Sequence, residues 1–172
     1  MKKIFMMMAL MAMTLTASAQ DAELKTYDCK PFTCQYPADY EADEDPFFDT
    51  MFSAEKDETH KMQMSLNDQK IASLQAFKAY TENIKKVNTV FLGEPTGWKV
   101  DAPVYKGMTM TIRRVKEEEY DEAGQVMMVA YDFASVGSKT KRLFAGIIRY
   151  PLSEDAKYKP LIDKIVASIK EK

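Results

Sequence analysis

The chain has 172 residues, 24 basic and 26 acidic side chains, and a formal charge of −2. A near-neutral, slightly acidic balance is no footprint for nucleic acid or an anionic membrane, both of which call for clustered Lys and Arg. Past the amino-terminal segment no apolar run approaches the roughly 20 residues that span a bilayer.

Lys2 and Lys3 precede an apolar run from Ile4 to Leu15, and Ala17-Ser18-Ala19 places small residues before Gln20. That is the layout of a secretory signal peptide over 1–19. The expectation is an exported protein, periplasmic or secreted, with one domain over 20–172. Cleavage after Ala19 leaves 153 residues, and loss of Lys2 and Lys3 leaves 22 basic against 26 acidic side chains. Such a length buries a core without metals or many disulfides. No cysteine stands at the cleavage junction, so no lipid anchor is expected there.

Leu24 to Cys29 and Phe32 to Tyr36 read as two strands around Lys30-Pro31. Export permits a disulfide, and the turn allows a Cys29–Cys34 staple, with two free thiols as the alternative. The spacing and strand context argue against a redox pair, which typically sits at a helix N-terminus. Asp39 to Asp45 is an acidic loop closed by Pro46. Phe47 to Ala54 is a strand, and Glu55 to Thr59 a charged turn. His60, Met62, Met64 and Leu66 alternate with Lys61, Gln63 and Ser65, as in a half-buried antiparallel strand. Ser73 is a good N-cap, and Leu74, Phe77, Tyr80, Ile84 and Val87 recur at helical spacing, predicting a helix over 73–87.

Thr89 to Leu92 resumes strand character, and Gly93 to Gly97 is a turn. Val104 to Val115 and Gln125 to Phe133 form a hairpin whose tip is the run from Glu117 to Gly124. Val136 to Lys139 turns the chain into a strand over 140–150, which Pro151 stops. Leu161, Ile162, Ile165, Val166 and Ile169 predict a closing helix with Pro160 in its first turn. Strands joined by short connections and two amphipathic helices imply an α+β fold, an antiparallel sheet with helices packed on it.

Three segments carry a family resemblance: Phe32-Thr33-Cys34-Gln35-Tyr36-Pro37-Ala38-Asp39-Tyr40, the helix introduced by Ser73-Leu74-Gln75-Ala76-Phe77, and the closing Tyr158 to Ile169. Together they resemble the PsbP-like family, extrinsic photosystem II subunits and their bacterial relatives, which shares its fold with a small Ran-binding protein. The resemblance implies an α/β/α sandwich around a central antiparallel sheet with two main helices. It carries over no catalytic residue, and the bacterial-type leader does not imply photosynthesis.

Candidate sites are few. Glu117 to Glu122 holds five carboxylates in six residues but lacks the Asp-x-Asp-x-Asp-Gly spacing of a calcium loop. It reads as a solvated hairpin end that discourages edge pairing. His60, Met62 and Met64, with Met108 and Met110, supply the soft donors copper prefers, yet the same spacing suits a packed sheet face. No Gly-x-Ser-x-Gly elbow, Walker motif or dinucleotide motif occurs, and nothing selects a catalytic carboxylate pair. Trp98 in a turn-rich stretch, with Tyr40, Phe47 and Phe48 beside the acidic loop, are the candidate ligand-binding aromatics. The expected function is therefore a non-enzymatic exported module without a cofactor. It binds an unknown protein or small ligand, with a hydrolase using dispersed carboxylates or a copper-binding protein as alternatives.

Overall fold

The computed structural model describes residues 23–43, 51–86, 97–120, 122 and 124–172. The leader, Phe47, Phe48 and the expected strand Thr89 to Leu92 lie outside the described residues.

The first hairpin pairs β1 (Leu24–Cys29) with β2 (Phe32–Pro37) around a cis Lys30-Pro31 bond. Phe32, Cys34 and Tyr36 are buried on one face, following the period of two. The short β3 (Glu41–Asp43) pairs with β4 (Met51–Asp57), which turns into β5 (His60–Lys70). His60, Met62, Met64 and Leu66 are buried and their neighbours half-buried, as the alternation predicts.

The helix α1 (Leu74–Lys86) begins where expected. The Ser73 hydroxyl accepts the Ala76 N–H at 3.2 Å, satisfying one of the donors that the first turn leaves open. Phe77, Thr81 and Ile84 form its buried stripe, whereas Leu74 is 44% exposed and lies off it.

Several strand boundaries differ from the sequence reading, two of them in the central hairpin. The expected strand from Val104 is broken into β7 (Val104–Lys106) and β8 (Thr109–Tyr120), which pair antiparallel with each other. Gly107, at φ +62°, allows the reversal between them. The acidic tip is also mostly strand. β8 runs through Glu117, Glu118 and Glu119 to Tyr120, which pairs with Gly124 at the start of β9 (Gly124–Val136). Glu118 takes part because Arg149 and the Tyr120 hydroxyl both donate to it.

From β10 (Arg142–Pro151) a single 3-10 turn leads into α2 (Asp155–Ser168), which starts earlier than expected. Pro160 therefore sits inside the helix rather than in its first turn, and no side chain caps the start. A last short strand, β11 (Lys170–Glu171), pairs with β2.

The large sheet runs β3-β4-β5-β10-β9-β8-β6, with β6 (Lys99–Val100) and β7 both along β8; β1, β2 and β11 form a second, small sheet. One face of the large sheet packs against α2 and the small sheet, in a core that includes Phe32, Met62, Met64, Phe144, Ile148, Tyr158 and Ile165. The other face packs α1, with Phe77 and Ile84 against Met110, Ile112, Ala134, Val136 and Leu143. The result is an antiparallel α+β sandwich. Gly146 lets the first core close: a methyl group there would lie 2.2 Å from Cζ of Phe133, its partner on β9.

Candidate functional site

The least ordinary place in the molecule is on the α1 face. Arg114 of β8 and Asp132 of β9 occupy the apolar phase of their strands, beside Met110, Ile112 and Ala134. Their register makes them diagonal neighbours, since Ile112 opposes Asp132 and Arg114 opposes Ala130. Arg114 is fully buried and Asp132 is 2% exposed. The guanidinium donates twice, from Nε to Oδ2 at 2.6 Å and from Nη2 to Oδ1 at 2.9 Å. Burial pushes the Asp132 carboxyl up to about 6, with Arg114 holding it below a still higher value. Tyr80 of α1 lies close enough for Asp132 to act on it: burial, then the Asp132 charge, push its hydroxyl up to about 12.

Trp98 lies over this pair. It immediately precedes β6, whose Val100 opposes Arg114 across the ladder. Its ring centroid is 5.0 Å from the Arg114 guanidinium carbon and 5.8 Å from Lys116 Nζ. Lys116 follows Arg114 by two residues and so lies on the same face. The half-buried indole thus rests on a cation that is itself locked by a carboxylate. A stack of this kind is worth about 0.5–2 kcal/mol, and it fixes an aromatic surface at the sheet edge.

The other sequence candidates go elsewhere. Tyr40 is 1% exposed in the core on the α2 face, with its hydroxyl 3.2 Å from that of Tyr158. Trp98 and Tyr40 are therefore on opposite faces of the sheet, and Tyr40 fills core space instead of presenting a ring to a ligand. Phe47 and Phe48 are outside the described residues.

The Cys29–Cys34 staple is not present, and Cys34 is a free buried thiol. The ladder accounts for this. Cys29 opposes Phe32 and Cys34 opposes Tyr27, so the two positions are diagonal, about 7–8 Å apart, beyond the usual Cα separation of a disulfide. Burial pushes the Cys34 thiol up to about 12, despite hydrogen bonds with Ser168 and the Gln35 carbonyl that pull it down.

The copper donors are divided between the faces. Met62 and Met64 are fully buried in the α2-face core, whereas Met108 and Met110 belong to the α1-face core. Both ring nitrogens of His60 face carboxylates, Nδ1 at 2.8 Å from Asp57 and Nε2 at 3.1 Å from Glu154. Among the described residues Asp132 is the carboxyl pushed upward, and it is held by Arg114 rather than facing a second acid.

Arg114, Asp132 and Lys116 were not singled out by sequence. The available signal was phase. Arg114 continues the Met110, Ile112 alternation, and Asp132 interrupts the apolar stretch Val129 to Phe133, both positions where a charge is rare unless paired.

Neither protein-family models nor curated proteins give a match to this sequence. Solved structures do. The Ran-binding protein Mog1p of Saccharomyces cerevisiae superposes with a TM-score of 0.52 at 14% identity, over 87% of this chain and 96% of that one. A mutant of Mog1 gives 0.53 at 13% identity, over 87% and 96%. Cyanobacterial PsbP from Synechocystis gives 0.50 at 10% identity, over 88% and 94%. At these identities the likeness concerns the fold, and on that ground the chain has the PsbP-like fold it shares with Mog1.

Proposed function

We propose that this chain is an exported, non-enzymatic binding module whose contact surface is centred on Trp98. The observation that carries the reading is the stack of Trp98 on the buried Arg114–Asp132 pair. A buried ion pair is at best even with apolar packing of the same volume, so its place beneath a partly exposed indole favours a positioning role. Trp and Arg are the residues that most often anchor protein contacts. Mog1p, whose fold this chain shares, is described as a Ran-binding protein, so one neighbour of this architecture works by engaging another protein. Export rests on the pattern of Lys2, Lys3, the apolar run and Ala17-Ser18-Ala19.

The test is comparative capture from a native envelope extract and from culture fluid, using the purified protein and its Trp98→Ala variant as bait. A species held by the first and reduced at least ~10-fold by the second, the loss of about 1.4 kcal/mol or more, supports the reading. Equal capture by both baits, with circular dichroism showing both folded, removes Trp98 from the binding surface.

A further inference from the structure

His60 is the single histidine of the chain, and it is 6% exposed. It stands at the first position of β5, opposite Asp57 at the end of β4. The Asp57 carboxylate accepts the backbone N–H groups of Thr59 and His60 at 2.9 and 3.0 Å and the Thr59 hydroxyl at 2.8 Å, and it faces His60 Nδ1 at 2.8 and 2.9 Å. Burial works upward on Asp57, but these bonds outweigh it and hold the carboxyl far below its ordinary value. Asp57 is therefore an acceptor only, and it fixes a proton on Nδ1.

The other side of the ring looks across the fold. Nε2 is 3.1 Å from Oε1 of Glu154, 94 residues away, where the 3-10 turn enters α2. Glu154 is also held below the ordinary carboxylate range: burial opposes this, while Lys157, 3.1 Å away, and His60 prevail. With Nδ1 already protonated, a neutral ring turns the Nε2 lone pair toward a carboxylate. The imidazolium turns an N–H toward it.

We propose that His60 is a proton-operated latch between the β4–β5 turn and the start of α2, closed when the ring is doubly protonated and released when it is neutral. The surroundings suit a two-state contact. From α2, the Tyr158 ring lies tilted at 33° to the imidazole with centroids 5.6 Å apart, and Lys157 stays on Glu154. From the loop before β3, Tyr40 reaches the Tyr158 hydroxyl, and Asp39 is taken by Lys56 at 2.9 Å. On β10, Tyr150 stacks on Tyr158 at 4.4 Å and donates to Asp155. On β5, Lys61 pairs with Glu55 at 3.2 Å. None of these supplies a proton donor to Glu154 Oε1 in place of Nε2. Histidine is the side chain whose charge ordinarily changes between about pH 5 and 8, a range set by the surrounding medium for an exported protein.

The test is the thermal midpoint of the purified protein, Glu154→Gln and His60→Gln from pH 8 to pH 6. A latch closed by the N–H at Nε2 is expected to add stability on going from pH 8 to pH 6 and to lose it on the way back. Asp132, whose carboxyl burial pushes up to about 6, is common to all three proteins, so the difference between proteins is the readout. The unaltered protein is expected to gain about 2–4 °C more than Glu154→Gln, because the glutamine amide donates to a neutral Nε2 and keeps the contact at either pH. Amide hydrogen exchange of residues 57–60 and 152–158, followed with the ring 15N signals of His60, needs no variant. Slower exchange on ring protonation supports the latch. Identical midpoint profiles in the unaltered protein and Glu154→Gln, or exchange at 152–158 that ignores the charge of His60, overturn it.

Discussion

Asp132→Ala is the most informative perturbation of the buried pair. It removes the two Asp132 oxygens that lie 2.6 and 2.9 Å from Nε and Nη2 of Arg114, a side chain with no solvent exposure. A guanidinium cannot discard its proton, so it stays charged on the face it shares with Ile112, opposite Ala130 and under the Trp98 ring. Breaking a buried pair in this way costs about 3–5 kcal/mol. For a chain of this size that is a fall of about 6–20 °C in thermal midpoint. The double variant Arg114→Met/Asp132→Leu removes both charges while keeping the volume, and it is expected within about 1 kcal/mol of the unaltered protein or above it. Urea unfolding followed by circular dichroism measures all three. Trp98 is the only tryptophan, so its emission reports the stack directly and should shift in the double variant although stability does not fall. The pair also has a pH signature. Since burial raises the Asp132 carboxyl from 3.8 to about 6, the folded state binds a proton there that the unfolded chain releases. Stability from this group is complete below the ordinary carboxylate value and is lost as pH rises through about 6. The double variant lacks that decline. If Asp132→Ala and the double variant destabilise equally, the cost lies in lost packing and not in a stranded charge, and the reasoning fails.

Two further predictions concern the core and the thiol. Gly146→Ala places a methyl group against the Phe133 ring, and the forced shift should cost about 1–3 kcal/mol in urea unfolding; a variant as stable as the parent would mean the ring moves freely. Cys34, buried and with its thiol pushed up to about 12, should resist alkylation at pH 8 in the native protein and react on addition of denaturant. Equal rates in the two conditions would contradict its placement beneath α2.

The parts of this fold that were legible in the sequence are those set by local rules. The alternation from His60 to Leu66 placed four buried side chains correctly because one face of that strand meets a core. Ser73 marked the start of α1 through its own hydrogen bond. The PsbP-like resemblance at Phe32 to Tyr40 pointed to the right architecture. What escaped was set at long range. The partition of the methionines between two faces depends on which helix covers each face, which period-two alternation does not say. The disulfide expectation failed on a two-residue offset in the ladder, invisible in the spacing of the cysteines. Tyr40 read as a loop aromatic because Tyr158, its partner 118 residues away, is not local. Trp98 was singled out for its turn-rich setting, whereas the ion pair beneath it requires the β8–β9 register to be known.

The proposed function stands most directly on Trp98, and its own fluorescence offers the decisive measurement. Once a species has been captured, titrating it against the protein while recording Trp98 emission tests whether contact occurs at the indole. The account predicts a saturable shift in emission, with affinity weakened at least ~10-fold in Arg114→Met/Asp132→Leu, which keeps the indole but removes its platform. Saturable binding with unchanged Trp98 emission, and equal affinity in Trp98→Ala, would place the contact elsewhere and contradict the account.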